Sequence, residues 1–236
     1  MLFDSQTLAA FYDSPLGQVT RRLIQRQLKA MWPSVRGERV LGFGFALPYL
    51  RGFAAEAERV IALTPENHGP ACWPGPRNLS ALAEEDALPF PDAMFDRVLM
   101  VHGLESAEAA RPLMRQIWRV MASDGRLLIV VPNRTSLWAQ VDRSPFAQGR
   151  PFSRSQLERL LRDSMFVPER WDNALLLPPL KSRRLVRSGF GWERTGRTLW
   201  PRLAGVHVVE ASKSMYALVP PAKAKRARPR LVPARA

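Results

Sequence analysis

The side chains able to do acid–base or binding chemistry in this 236-residue chain are few and scattered. His102 stands directly behind an apolar run, 95–101 (FDRVLMV), and so at the carboxyl end of a candidate strand. An imidazole there can orient a substrate or take a proton from it, because its ordinary pKa lies near neutrality. It can equally be a hydrogen-bonded structural histidine. Glu84 and Glu85 precede the turn 87–92 (ALPFPD) and suit either hydrogen-bond acceptance or a solvated loop. Gly42 and Gly44 follow Val40-Leu41, where glycine lets a ligand approach the backbone or simply turns the chain. Asn133 ends an apolar run and can face a ligand or cap the next turn. His68, His102 and His207 lack metal-ligand spacing. The single Cys72 can form no internal disulfide, and it suits a reducing compartment.

These residues need elements to hold them. Apolar positions at helical spacing predict helices across 4–31, divided at Pro15 with Ser14 as N-cap. An alternation follows: strand 39–43, helix 48–57, strand 59–63, loop 65–76, strand 77–82, strand 95–101, helix 107–121 and strand 126–131. A helix over 153–162, a strand within 166–177 and a last strand over 212–219 complete the reading. Strands and helices alternating at this pitch imply right-handed crossovers and a parallel sheet covered on both faces. The expected fold is α/β, a Rossmann-like doubly wound, mostly parallel sheet. The expected organisation is a helical extension over 1–35, one domain over 36–219 with a cap-like insertion at about 178–206, and a basic, disordered tail over 220–236.

Net charge is +14, and most of it is local. Residues 181–202 carry seven Lys/Arg against one acid, Glu193, and residues 221–236 carry six Lys/Arg and no acid. Each stretch contributes +6, which leaves the rest of the chain nearly balanced. With Phe190, Trp192 and Trp200 interleaved, the insertion suits RNA or an anionic membrane surface, or is a cap packed on the core. Concentrated positive charge points to a polyanion as partner. The N-terminus lacks a basic segment before an apolar run, and no apolar stretch approaches the roughly 20 residues that cross a bilayer. The expected address is cytoplasmic.

Residues 83–133 carry a more specific signal: an acid, then ALPFPD, an F-D-x-V strand, L-E, a long helix ending in R-V, and G-R-L. This block closely resembles the second half of a class I S-adenosylmethionine-dependent methyltransferase domain of the type 11 subgroup. The resemblance spans about 36–140 and implies S-adenosylmethionine as cofactor. It implies cofactor contacts at Gly42, Gly44, Ala46, Thr64, Glu84 and Glu85, with Glu84 on the adenine side. Two family acids are missing: Gly42 stands where one precedes the glycine motif, and Thr64 where another binds the ribose. Loss of one charged hydrogen bond costs about 1.5–3 kcal/mol, so weak cofactor binding is expected. Gly42, Gly44, Thr64, Glu84 and His102 are expected to bound one pocket, with His102 as the candidate base. A side chain of Phe43, Phe45 or Leu47 filling that space would argue against catalysis. Methyl transfer is chiefly a matter of proximity and orientation, so the acceptor cannot be named from residues. Two functions follow: a methyltransferase of unspecified acceptor, or a catalytically weak relative that binds RNA, an anionic membrane or another protein.

Overall fold

In the computed structural model, the described residues are 4–73, 78–141, 144–179, 191, 193, 196, 199–200 and 203–214. The tail 221–236 and most of the basic stretch 181–202 lie outside them. Two helices open the chain, α1 (Ser5–Asp13) and α2 (Pro15–Met31). The division falls where expected: the Ser14 hydroxyl accepts from Gly17 N at 3.1 Å, and Pro15 occupies the first turn of α2.

Seven strands form one sheet: β1 (Arg39–Gly44), β2 (Arg59–Pro65), β3 (Ser80–Ala83), β4 (Phe95–Val101), β5 (Met121–Pro132), β6 (Phe166–Ala174) and β7 (Val206–Lys213). Their order is β3-β2-β1-β4-β5-β7-β6. The first five are mutually parallel, as expected, while β7 runs antiparallel to both β5 and β6. The strand order reverses between β1 and β4, the place where open α/β sheets hold ligands.

Alternate side chains of these strands feed two cores. Val40, Leu99, Leu128 and Val208 point to the face covered by α1 and α2. Leu41, Val98, Ile129 and Val209 point to the other, covered by α4 (Ala110–Val120) and α5 (Arg154–Asp163). Leu8, Tyr12, Leu23 and Leu28 of the N-terminal helices are buried in the first core, so these helices share the sheet's interior.

Three expectations need correction. The helix after β1, expected over 48–57, is the single turn α3 (Leu47–Leu50) followed by turns. Tyr49, Leu50 and Phe53 are all fully buried, and the segment mixes three-residue bonds (Gly52 N→Tyr49 O, Phe53 N→Leu50 O) with four-residue ones (Ala54 N→Leu50 O, Ala57 N→Phe53 O), which breaks up a regular helix. β5 begins at Met121, ahead of the expected 126, with an irregularity in its pairing with β4. The last strand lies over 206–213, because His207 and Glu210 disguise a buried run. Glu210 is sequestered against Trp32, whose indole Nε1 donates to its carboxylate at 2.9 Å.

Candidate functional site

The 83–133 block consists largely of latches. Asp96, of the F-D-x-V strand, accepts from Arg39 N at 2.8 Å and from both ends of its guanidinium at 2.9 and 2.7 Å. This pins the starts of β1 and β4 together, and Arg39 holds the Asp96 carboxyl below its usual range. Arg119, near the end of α4, donates to the carbonyls of Leu88 at 2.8 Å and Phe90 at 2.7 Å, and to Asp92 at 2.9 Å. The terminal arginine of the helix thus clamps the ALPFPD turn. Asn133 is a cap: its Oδ1 accepts from Thr135 N, and its Nδ2 donates to Ala204 O at 2.9 Å.

The crevice between the carboxyl ends of β1 and β4 is closed. Gly44 has φ of +80°, and a Cβ there would stand 2.4 Å from Val101 O and 2.7 Å from Gly103 N. Phe45 N donates to Val101 O at 2.7 Å, so the loops after β1 and β4 are bonded to each other. Gly42 is covered by Leu50, whose Cδ1 would lie 2.4 Å from an added Cβ, and Ala46 is buried beside it. Glycine at 42 and 44 therefore permits close internal packing rather than leaving room for a ligand.

His102 faces into this packed region. It is 1% exposed with φ of +52°, an uncommon conformation for a residue with a Cβ. Its Nε2 lies 2.8 Å from Tyr12 Oη, and its Nδ1 lies 3.0 Å from Glu105 Oε1. Tyr49 Oη donates to Tyr12 Oη at 3.0 Å. Burial pushes both phenols well above their ordinary pKa, so both carry protons. With Tyr49 donating to Tyr12 and Tyr12 in turn to His102 Nε2, a neutral imidazole places its proton on Nδ1, toward Glu105. Around this relay Tyr12 stacks on Phe45, with ring centroids 5.8 Å apart, and His102 lies 4.9 Å from the Phe146 ring. Phe45 and Tyr12 occupy the space in which a pocket was expected.

The adenine-side residues fall elsewhere. Thr64, 2% exposed, lies near the end of β2. Beyond the carboxyl ends of β2 and β3, a cavity of about 500 Å³ is lined by Glu66, Asn67, Glu84, Glu85, Asp86 and Glu108. Glu84 is exposed. Glu85 is already engaged, its Oε1 accepting from Glu108 N at 2.7 Å and Ala109 N at 3.1 Å, which caps the entry to α4. The structure thus packs Gly42, Gly44, Ala46 and His102 in one closed region and places Glu84 and Glu85 on a separate open one; the single pocket expected from the sequence is not formed. Sequence reasoning missed Tyr12, Glu105 and Glu66. Tyr12 was visible only as one apolar position of a helix, and Glu66 only as a loop charge.

The fold defines a class: doubly wound α/β proteins whose strand order reverses between β1 and β4. Residues 42–129 match the family model described as a methyltransferase domain. Solved structures share the fold. A chain of the complex between the Haloferax volcanii Trm112 methyltransferase activator and a methyltransferase aligns with TM-score 0.61 at 15% identity, covering 91% of this chain and 100% of that one. A SAM-dependent methyltransferase from Aquifex aeolicus aligns with TM-score 0.60 at 17% identity, covering 89% and 98%. The [4+2]-cyclase SpnF aligns with TM-score 0.55 at 18% identity, covering 82% and 81%, so the fold is not confined to methyl transfer. No curated protein matches the chain in sequence. Among the described residues no helix is long and apolar enough to cross a membrane, and no His/Cys/Asp/Glu cluster could hold a metal.

The residues present fit the cofactor at one end only. The adenosine end has space and carboxylates, with Glu66 two residues beyond the missing acid at Thr64. The methionine end does not fit: a Cβ at Gly44 would strike backbone, and Phe45 and Tyr12 fill the approach.

Proposed function

We propose that the protein is an S-adenosylmethionine-dependent methyltransferase held in a closed state by its own N-terminal helix. The observation that carries this reading is Tyr12. It reaches from α1 to the carboxyl ends of β1 and β4, packs on Phe45 and bonds to His102. Withdrawal of α1 frees His102 Nε2 at the place where the family's reaction occurs. Only with Tyr12 withdrawn would the methionine end be approachable, and a cofactor held there would supply an activated methyl group. The chain's own contribution is a base: Nε2 takes a proton from an acceptor O–H or N–H while Nδ1–H stays bonded to Glu105, which fixes the tautomer and steadies the imidazolium.

A second reading is favoured by the same closure together with the missing acids at Gly42 and Thr64: a non-catalytic family member that binds RNA, an anionic membrane or another protein through its basic segments. One titration separates them. Calorimetry with S-adenosylhomocysteine, on the wild type and on Tyr12→Ala, shows weak binding that tightens in the variant under the first reading. The second expects no binding by either protein.

A further inference from the structure

Away from the crevice, α2 and the turn after α3 form a groove of about 610 Å³ that gathers Arg21, Arg22, Arg26, Lys29 and Arg51 around Gln25. The chain outside its two basic stretches is nearly neutral, so this cluster is a local concentration. Only Lys29 is neutralised, by Glu56 at 3.7 Å. The other four guanidinium groups have no ion pair or side-chain hydrogen bond among the described residues. The Gln25 amide nitrogen is a buried donor without an acceptor there. Arg22 and Arg26 stand four residues apart and Arg26 and Lys29 three apart, so like charges share one helical face and repel. An arrangement that costs stability in the free protein is relieved by an anion that spans several guanidinium groups at once.

We propose that this groove binds the phosphate backbone of a nucleic acid. A chain of phosphodiesters can pair with the three arginines along α2 and with Arg51 across the groove, whereas a lone phosphate reaches one or two. The apolar residues exposed elsewhere, including Leu82, Leu137 and Met165, are absent from α2 and from 48–52, so nothing at the groove would insert into a bilayer. The neighbouring aromatics Tyr49 and Phe53 are fully buried, leaving no ring on which a base could stack. Contacts are therefore to backbone, and binding is independent of base sequence. The site is separate from the crevice and does not rest on the methyltransferase reading.

The test uses the full chain and fluorescence anisotropy with labelled oligo(U) and oligo(A) of about 20 nucleotides, from about 50 to about 200 mM salt. The perturbed protein carries Arg21→Gln, Arg22→Gln, Arg26→Gln and Arg51→Gln together. Expected are equal affinities for the two sequences, at least about tenfold weaker binding by the variant, and a salt dependence shallower by about 3 in log–log slope. The corresponding four Arg→Lys changes should keep most of that slope, and circular dichroism checks that each variant is folded. Unchanged binding by the Gln variant would overturn the proposal. So would capture by phosphatidylglycerol vesicles without binding to either oligonucleotide.

Discussion

Replacing Tyr12 with alanine tests the closed crevice most directly. Tyr12 is nearly fully buried, and burial of a side chain of that size contributes about 2–3 kcal/mol. Its hydrogen bond to His102 adds about 1 kcal/mol, and its ring contacts with Phe45 and Tyr49 add about 1 kcal/mol more. Tyr12 therefore favours the closed state by about 4 kcal/mol, close to a thousandfold in the equilibrium between closed and open crevice. Where only the open form binds, the apparent dissociation constant is the intrinsic one divided by the open fraction. Tyr12→Ala should then tighten S-adenosylhomocysteine binding by at least about 100-fold, up to the point where opening is complete. The same change should lower global stability by about 3–5 kcal/mol in urea unfolding. Tyr12→Phe keeps the ring and loses the hydroxyl, so it should give a gain nearer tenfold. Calorimetry at fixed protein concentration reads all three proteins. Affinity unchanged in Tyr12→Ala, with the stability loss present, would mean that the helix supports the fold without gating the site.

Other outcomes follow from the same geometry. Gly44→Ala should cost about 2 kcal/mol or more, measured by chemical denaturation, because it adds a positive-φ penalty to a Cβ 2.4 Å from Val101 O. Arg119→Met should lose about 2 kcal/mol, since it leaves the carbonyls of Leu88 and Phe90 without their donor; an unchanged melting temperature would remove the latch from the account. His68 and His207 are pushed down to about 4 by burial, from an ordinary 6.5. Between those values the unfolded chain binds protons that the native state does not, so stability is intact above pH 6.5 and falls as pH drops toward 4. The loss is about 3 kcal/mol for each histidine. Denaturation curves at pH 7 and pH 5 check the sign, and a flat profile would contradict the burial argument.

What the sequence alone determined is the part governed by local pattern and by one long motif. The alternation of apolar runs placed five parallel strands close to where they lie, because each buried strand must be apolar over its own length whatever its neighbours do. Ser14-Pro15 divided the N-terminal helices, and Ser153 opened α5, because caps act within a few residues. The 83–133 block was legible as a unit because its residues hold neighbouring elements together: Asp96 ties β4 to β1, and Arg119 clamps the turn over 87–92. Tertiary structure alone decided the state of the site. Gly42 and Gly44 read the same whether they face a ligand or a neighbouring loop; only the position of Leu50 and Val101 shows that they face the protein. Glu85 reads as a site acid until the start of α4 docks against it. Tyr12 meets His102 across 90 residues of chain, and no local pattern encodes a contact of that separation. The last strand was misplaced for a related reason. Glu210 is a buried carboxyl group held by Trp32, 178 residues away, and by Arg170 of β6, so the run it interrupts appears polar until the sheet is assembled.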